Sequence, residues 1–214
     1  MKTLKCIFYL LLLEDKLVTK DYDNFPWRIF ISLNVPYIIQ KQLSEFKNLV
    51  PKNYYHLFKW VDLSLIHCTL TFLGNCMENQ VIILRKIIED FQFENEIDTY
   101  IESLDFFPNK NHPKIFIAKL KKNSLISQLY DDVSLKLLEN NFESEISFLP
   151  HITIARKRKN SSRKELSSFI SILQKIEYPK KVPFQFNKIS LIRSILKSEG
   201  PEYKVLAESS MRKI

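Results

Sequence analysis

Two tetrapeptides of one type, His67-Cys-Thr-Leu70 and His151-Ile-Thr-Ile154, stand 84 residues apart in the chain. In a β-strand, successive side chains point to opposite faces, so the histidine and threonine of each tetrapeptide share one face. The residues between them turn the other way, toward the core. Polar side chains on an otherwise apolar strand need either a wet cleft or buried partners. If the two strands met across one groove, two imidazoles and two hydroxyls would surround it.

That set of groups can move protons at a phosphate. Two imidazoles with ordinary pKa values near ~6.5 can hold opposite protonation states at neutral pH. The neutral ring can take a proton from an attacking water, and the charged ring can protonate a departing oxygen. Threonine hydroxyls can donate hydrogen bonds to the non-bridging oxygens of a phosphate between them. The pattern therefore predicts phosphodiester cleavage by metal-free general acid–base catalysis.

Other interpretations of the histidines are weaker. A single histidine on a strand is more often structural, but two at corresponding positions of a repeated unit are less easily a coincidence. No Asp or Glu accompanies either tetrapeptide, and two histidines make an incomplete metal-ligand set, so we expect neither a metal nor another cofactor. Cys68 is expected to face the core, which disfavours a thiol nucleophile. His56 and His112 lie in polar loops and are expected at the surface.

The segments that must position these residues form one unit that occurs twice. Both copies follow the order strand, helix, strand, helix, strand, as judged from hydrophobic periodicity and from breaks at Pro, Asn and Gly. The predicted segments of the first copy are 28–33, 36–49, 66–73, 78–91 and 99–107, and those of the second are 114–118, 124–139, 151–156, 162–174 and 184–195, with a last strand at 202–211.

The repeat also shows in the residues. Lys114-Ile-Phe-Ile-Ala118 echoes Arg28-Ile-Phe-Ile-Ser32 at an offset of 86 residues. Ser124 is the predicted N-cap of the helix that follows the second of these strands. Short loops between some neighbouring strands favour antiparallel pairing. We therefore expect an α+β fold of two pseudo-symmetric lobes, each a mainly antiparallel sheet backed by helices, with both tetrapeptides in a central groove.

Composition narrows the functional classes. The chain has 214 residues and only two glycines, Gly74 and Gly200, which excludes a dinucleotide fingerprint and a P-loop. Its net charge of +8 suits a polyanion such as nucleic acid, although lysine-rich proteins are common for other reasons. Three cysteines without a CxxC pair indicate neither a disulfide framework nor a zinc ribbon. We expect a cytoplasmic monomer.

The first 25 residues stand apart from the repeated pattern. Lys2 and Lys5 precede an apolar run over 6–13, which looks like a short signal peptide. Acidic residues follow the run at once, and no small-residue cleavage site is present. The run is also too short to span a bilayer. We interpret residues 1–25 as an N-terminal extension of uncertain role, followed by one bilobal domain over 26–211, with approximate, interleaved repeats 28–108 and 114–195.

The ordered set of motifs resembles a known family. Paired HxTx motifs on duplicated lobes are similar to the 2H phosphoesterase superfamily, and the flanking residues resemble the bacterial and archaeal RNA 2′,3′-cyclic phosphodiesterases, also called 2′-5′ RNA ligases. The resemblance spans about residues 26–211. The segments that carry it are Arg28–Leu33, His67–Gly74, Phe107-Pro108, Phe148–Arg156 and Gly200–Leu206.

The resemblance implies a reaction and a role for each site residue. Members open a terminal 2′,3′-cyclic phosphate on RNA, such as a tRNA fragment, to leave a 2′-phosphate without a metal. By this resemblance His67 would be the proton donor and His151 the proton acceptor. Thr69 and Thr153 would hold the phosphate, and Arg156 would add positive charge to it. The alternatives left open are a small cyclic phosphate or nucleotide as substrate, and a non-catalytic RNA-binding module.

Three further features bear on substrate binding. Thr71, expected on the same face as His67, stands where many relatives carry Lys or Arg, which puts that phosphate contact in doubt. Trp60, Phe107 and Phe148 are candidates for stacking on a base. The basic segments Arg156–Lys159 and Arg163-Lys164 follow the second motif directly and could either track an RNA backbone or form a solvated surface.

Overall fold

The computed structural model describes residues 25–92, 96–143, 147–176, 181–198 and 200–210. Most of the N-terminal extension, including the apolar run over 6–13, lies outside these residues. The described part contains ten strands, four α-helices and two short 3-10 segments. In chain order the strands and helices are β1 (Trp27–Asn34), α1 (Tyr37–Leu49), β2 (Phe58–Trp60), β3 (His67–Cys76), α2 (Glu78–Asp90), β4 (Ile97–Thr99), β5 (Ile101–Phe107), β6 (Ile115–Leu120), α3 (Ser124–Glu139), β7 (His151–Lys157), α4 (Arg163–Leu173), β8 (Phe184–Phe186), β9 (Lys188–Leu196) and β10 (Pro201–Ser210).

These elements confirm the predicted alternation of strands and helices. Two of the predicted strands are each divided, one into β4 and β5 and the other into β8 and β9. The short strand β2 carried no periodic signal and was not predicted. The N-cap predicted at Ser124 is wrong by one residue, because Asn123 is the extended residue whose side chain accepts a hydrogen bond from the Ile126 amide. The Asn123 amide group also donates to the Asp98 carbonyl, which fixes the cap.

The sheet consists of two antiparallel halves that barely touch. One half has the order β10-β9-β1-β3, and the other has β7-β6-β5 with β2 also against β7. The halves join where β3 meets β7, through the single paired position Cys68–Ile152. Strands β4 and β8 form a separate two-stranded sheet. This arrangement confirms a mixed α+β fold whose sheet is mainly antiparallel and backed by helices.

The two sequence repeats exchange a strand between the halves. β1 and β3 come from the first repeat and pair with each other, but the other neighbour of β1 is β9, which comes from the second repeat. β6 and β7 come from the second repeat, and their outer neighbour is β5, from the first. Each half therefore contains strands from both repeats, so the covalent connections tie the halves together as well as the pairing of Cys68 with Ile152.

The helix-backed side of each half is an apolar core. In β1 all side chains from Ile29 to Leu33 are buried, and Ile29, Ile31 and Leu33 are fully buried, as expected for a central strand covered on both faces. The other half centres on four phenylalanine rings with centroids 4.9–6.4 Å apart. They come from β2, β5, β6 and α4: Phe58, Phe106, Phe116 and Phe169.

Among the described helices, none is long and apolar enough to cross a membrane.

The phenylalanine cluster predicts a large, local stability effect. Phe116→Ala should lower the free energy of unfolding by about 3–5 kcal/mol, since it removes a fully buried ring and leaves a cavity. Phe107→Ala is the matched control, because that ring is 48% exposed and its loss should cost no more than about 0.5 kcal/mol. Urea unfolding of both variants measures the difference, and similar costs would contradict the proposed core.

Candidate active site

The two motifs open the two strands that join the halves of the sheet. His67 is the first residue of β3 and His151 is the first residue of β7. The first seven residues of each strand share one burial pattern: half-buried, buried, half-buried, buried, buried, exposed, half-buried. Because β3 and β7 pair only at Cys68–Ile152, the histidine of each motif lies next to the junction. We call the sheet face that bears His67 and His151 the motif face.

Both histidine rings are held in the same way. Nδ1 of His67 lies 2.8 Å from the Leu65 carbonyl oxygen, and Nδ1 of His151 lies 2.8 Å from that of Leu149. A carbonyl oxygen can only accept, so Nδ1 must carry the proton and donate in each bond. The other ring nitrogen, Nε2, is then the atom that can give or take a proton at a substrate. The structure thus prepares two equivalent imidazoles for proton transfer.

His67 is the more enclosed of the two. The Phe30 ring stacks on it with centroids 4.8 Å apart, and the Tyr203 ring meets it edge-on at 5.3 Å. This burial lowers the pKa of His67 below its ordinary value near 6.5. The hydrogen bond to Leu65 opposes the effect, and electrostatic interactions with the nearby Arg156 and His151 side chains add to it. Those charge effects show that the structure brings His67, His151 and Arg156 together.

The thiol next to His67 is not available for chemistry. Cys68 is fully buried, as expected from the sequence, and burial raises the pKa of its thiol to about 12. A nucleophilic cysteine needs a lowered pKa and an accessible sulfur. The nearby backbone amide of His151 opposes this rise in pKa, so the two motifs lie against each other here.

Each motif strand has a bulge at the fourth motif residue. Between β1 and β3, Ser32 pairs with Thr69 but Ile31 pairs with Thr71, so Leu70 has no partner in the ladder. Between β6 and β7, the pairing jumps in the same way past Ile154. An extra residue of this kind reverses the alternation of side chains beyond it.

The prediction that Thr71 shares a face with His67 and Thr69 is therefore wrong. Beyond the bulge Thr71 faces the core, where it is 1% exposed and its hydroxyl has no hydrogen-bond partner among the described residues. Phe72 takes the place on the motif face, paired with Phe30 and 48% exposed. In the second motif, the bulge gives the corresponding exposed place to Arg156. Thr69 lies half-buried before its bulge, on the motif face as predicted.

The first strands of the two repeats align differently in sequence and in structure, by one residue. Asn34 pairs with His67 and Lys119 pairs with His151, so equivalent positions in β1 and β6 are 85 residues apart rather than 86. As a result Phe30 and Phe116 are not equivalent. Phe30 contacts His67 on the motif face, whereas Phe116 lies in the core of the other half.

Other aromatic and histidine residues singled out from the sequence lie elsewhere. Trp60 packs against Tyr55 and the phenylalanine cluster, and Phe148 stacks on Tyr130 at 4.7 Å, so both rings already have partners. Phe107 remains exposed. His56 and His112 are at the surface as predicted, and His56 Nε2 lies 3.1 Å from a Glu165 carboxylate oxygen.

Two residues beside His67 were missed by the sequence analysis. Phe30 was assigned to a buried strand without regard to face, and Tyr203 lies in the last strand, far away in the chain. The only signal for Tyr203 was its place in a segment that carried the family resemblance. As for metals, the described residues contain no group of three or more His, Cys, Asp or Glu side chains that could hold an ion.

The buried Thr71 hydroxyl predicts an unusual substitution effect. Thr71→Val keeps the side-chain shape and removes an unpaired buried hydroxyl, so stability should stay the same or rise by up to about 1 kcal/mol. Chemical unfolding of the variant and the wild type gives the difference. A loss above about 1 kcal/mol would show that the hydroxyl has a partner in the folded protein.

The lowered pKa of His67 predicts a pH dependence of stability. Because the folded-state pKa lies below the unfolded one, the contribution is complete above about pH 6.5 and is lost as the pH falls toward the folded value. Between about pH 7 and about pH 5, the unfolding free energy of His67→Gln should therefore fall less than that of the wild type. Equal falls in the two proteins would contradict the burial of His67.

Comparison with known proteins agrees with this geometry. The profile of the family described as LigT-like phosphoesterase matches residues 120–203. Two curated relatives are both named RNA 2′,3′-cyclic phosphodiesterase. The one from Methanocaldococcus jannaschii is 24% identical over 85% of this chain and 99% of the relative, and the one from Aquifex aeolicus is 29% identical over 70% of this chain and 80% of the relative.

Solved structures agree on the fold. A protein of Thermus thermophilus superposes with a TM-score of 0.69 at 23% identity, over 86% of this chain and 97% of that one. LigT of E. coli, solved with 3′-AMP, superposes with a TM-score of 0.67 at 15% identity, over 88% and 99%. The matched profile, the shared fold and the named relatives all make this chain similar to the LigT-like phosphoesterases.

Proposed function

We propose that this protein hydrolyses 2′,3′-cyclic phosphate ends of RNA to 2′-phosphomonoesters, with two histidines as acid and base and without a metal. The observation that carries the proposal is the matched pair of rings, each with Nδ1 bonded to the carbonyl two residues earlier and Nε2 left for the substrate. The names of the curated relatives supply the substrate class. The E. coli LigT structure with 3′-AMP supports a nucleotide as a ligand of this fold.

The reaction divides between the two rings. Neutral His151 accepts a proton at Nε2 from a water, whose oxygen forms a bond to phosphorus. The bond from phosphorus to the ribose 3′ oxygen breaks, and His67 gives a proton from Nε2 to that oxygen. The product is a 2′-phosphate and a free 3′ hydroxyl. The His151 ring ends protonated and the His67 ring neutral, so a proton exchange with solvent restores the starting state.

A bound phosphate would help to set the protonation states of the two histidines. Hydroxyls of Thr69 and Thr153 would donate to its non-bridging oxygens, and the Arg156 guanidinium would pair with its charge. Burial alone lowers the pKa of His67, which disfavours a proton donor. A bound phosphate anion would raise this pKa again, because it favours the charged form of a nearby imidazole. His67 would thus take up its proton as the substrate binds.

One exposed aromatic ring on the motif face is a candidate contact for the base of the substrate. Phe72 lies on the His67 strand, beside the Phe30 ring at a centroid distance of 5.8 Å. Its exposed ring could stack on the base of the terminal nucleoside. The assignment of His67 as the acid rests on the resemblance to the 2H phosphoesterases.

A direct test uses an oligonucleotide that ends in a 2′,3′-cyclic phosphate, incubated with the purified protein in EDTA. The expected product is the 2′-phosphate. Activity that appears only after Zn²⁺ or Mn²⁺ is added, or a 3′-phosphate product, would contradict the mechanism. Hydrolysis of adenosine 2′,3′-cyclic phosphate but not of the oligonucleotide would indicate a small-molecule enzyme, and tight binding without turnover would indicate an RNA-binding module.

Substitutions test the separate roles of the site residues. His67→Ala and His151→Ala should each lower turnover by about 10²–10⁴-fold, and the double variant should lose less than the product of the two losses. Thr69→Val should also lower turnover, whereas Thr71→Val, with its side chain in the core, should retain it. The wild-type rate should follow a bell-shaped pH profile that belongs to the coupled pair. Near-normal turnover in either histidine variant would make that ring structural.

A further inference from the structure

A strongly basic cleft lies just beyond the end of the motif strand β7. It encloses about 370 Å³ and is formed by the loop between β5 and β6, the end of β7 and the start of α4. Four cationic side chains line it, and serine hydroxyls and an asparagine add hydrogen-bonding groups. We call it the basic cleft, and its cations are Lys110, Lys114, Lys157 and Arg163.

The positive charge of the basic cleft has no counterpart nearby in the described part of the chain. Among the described residues that line it, none is Asp or Glu. None of the four cations takes part in an ion pair with another described residue. Glu165, in the first turn of α4, is engaged by His56 and by its own cap residue Ser162. A cleft with one sign of charge focuses its potential on an anionic partner.

Only some of the basic residues that follow the second motif line the basic cleft. Arg158 donates through Nε to the Phe58 carbonyl at 3.2 Å, and its backbone amide donates to Leu57, so this side chain holds β2 in place. Lys157 and Arg163 instead join Lys110 and Lys114 from the loop between β5 and β6, two lysines that the sequence analysis did not single out for a function. The chain thus assembles four cations from three separate segments into one concavity.

The position of the basic cleft relates it to the proposed reaction. Lys157 directly follows Arg156, whose charge is felt by His67. At about 3.3 Å per residue of strand, Lys157 lies roughly 13 Å along β7 from Thr153. Because side chains alternate along a strand, Lys157 turns away from the motif face that bears Arg156. A single strand with its terminal phosphate at the two motifs would therefore pass over the end of β7 to bring its upstream phosphates to the cleft.

We propose that the basic cleft binds the backbone phosphates of the nucleotides that precede the cyclic end, so that the protein prefers an oligonucleotide over a mononucleotide. This inference rests on the proposed function, since it names the substrate class of the same site. Phosphate contacts of this kind depend on salt, because each one releases counterions from the nucleic acid.

The test compares Lys110→Ala/Lys114→Ala with the wild type on two substrates over a range of salt concentrations. For an oligonucleotide with a 2′,3′-cyclic phosphate, the slope of log kcat/KM against log salt should become shallower by about 1.4, at roughly 0.7 for each lost contact to a single strand. For adenosine 2′,3′-cyclic phosphate, kcat/KM should not change. The control Lys41→Ala/Lys86→Ala removes the same charge from α1 and α2, and it should match the wild type on both substrates.

A binding measurement separates the failure of this inference from the failure of the proposed function. Fluorescence anisotropy with a 3′-phosphorylated oligonucleotide needs no turnover, and the cleft variant should bind it more weakly with the same loss of salt slope. An unchanged slope in the variant, or equal losses in the cleft and control variants, would overturn the role of the cleft. Absence of hydrolysis of both substrates by the wild type would overturn the proposed reaction, while anisotropy would still decide whether the cleft binds RNA.

Discussion

The structure depends on the one place where the two halves of the sheet meet. Cys68 and Ile152 form the only paired position between β3 and β7 in the described structure, and each follows the histidine of its motif. If the strands paired further along, the motif side chains would lie in one continuous sheet. Because they pair only here, the strands diverge beyond the junction and leave the histidines beside it. The backbone amide of His151 lies near the buried Cys68 sulfur at the same point, so the two motifs meet at the edge of the core.

The second constraint is the bulge at the fourth residue of each motif. It keeps the first and third residues on the motif face and turns the fifth into the core, so that the sixth returns to the open side. Identical bulges place different residues there, Phe72 in one half and Arg156 in the other. The duplicated architecture thus supplies two equivalent histidines, while the residues beyond the bulges distinguish an aromatic end from a charged one.

That asymmetry explains how two similar rings could take opposite roles. Phe30 and Tyr203 enclose His67 and its burial lowers its pKa, and electrostatic interactions with Arg156 and His151 act in the same direction. A phosphate anion reverses the balance, so protonation of His67 would be coupled to substrate binding. The basic cleft adds four further cations next to this site, and one of them, Lys157, directly follows Arg156.

The sequence by itself determined the order of strands and helices, the α+β class, the pairing of His67 with Thr69 on one face, and the burial of Cys68. These follow from periodicity over a few residues, which is a local property. The sequence could not determine which face of β3 bears Thr71 or that Phe30 and Phe116 occupy different positions. Nor could it determine that four cations lie together in one cleft. A bulge and a one-residue shift are set by pairing with a strand far away in the chain, and either one reverses every side chain beyond it. Only the tertiary structure could decide them.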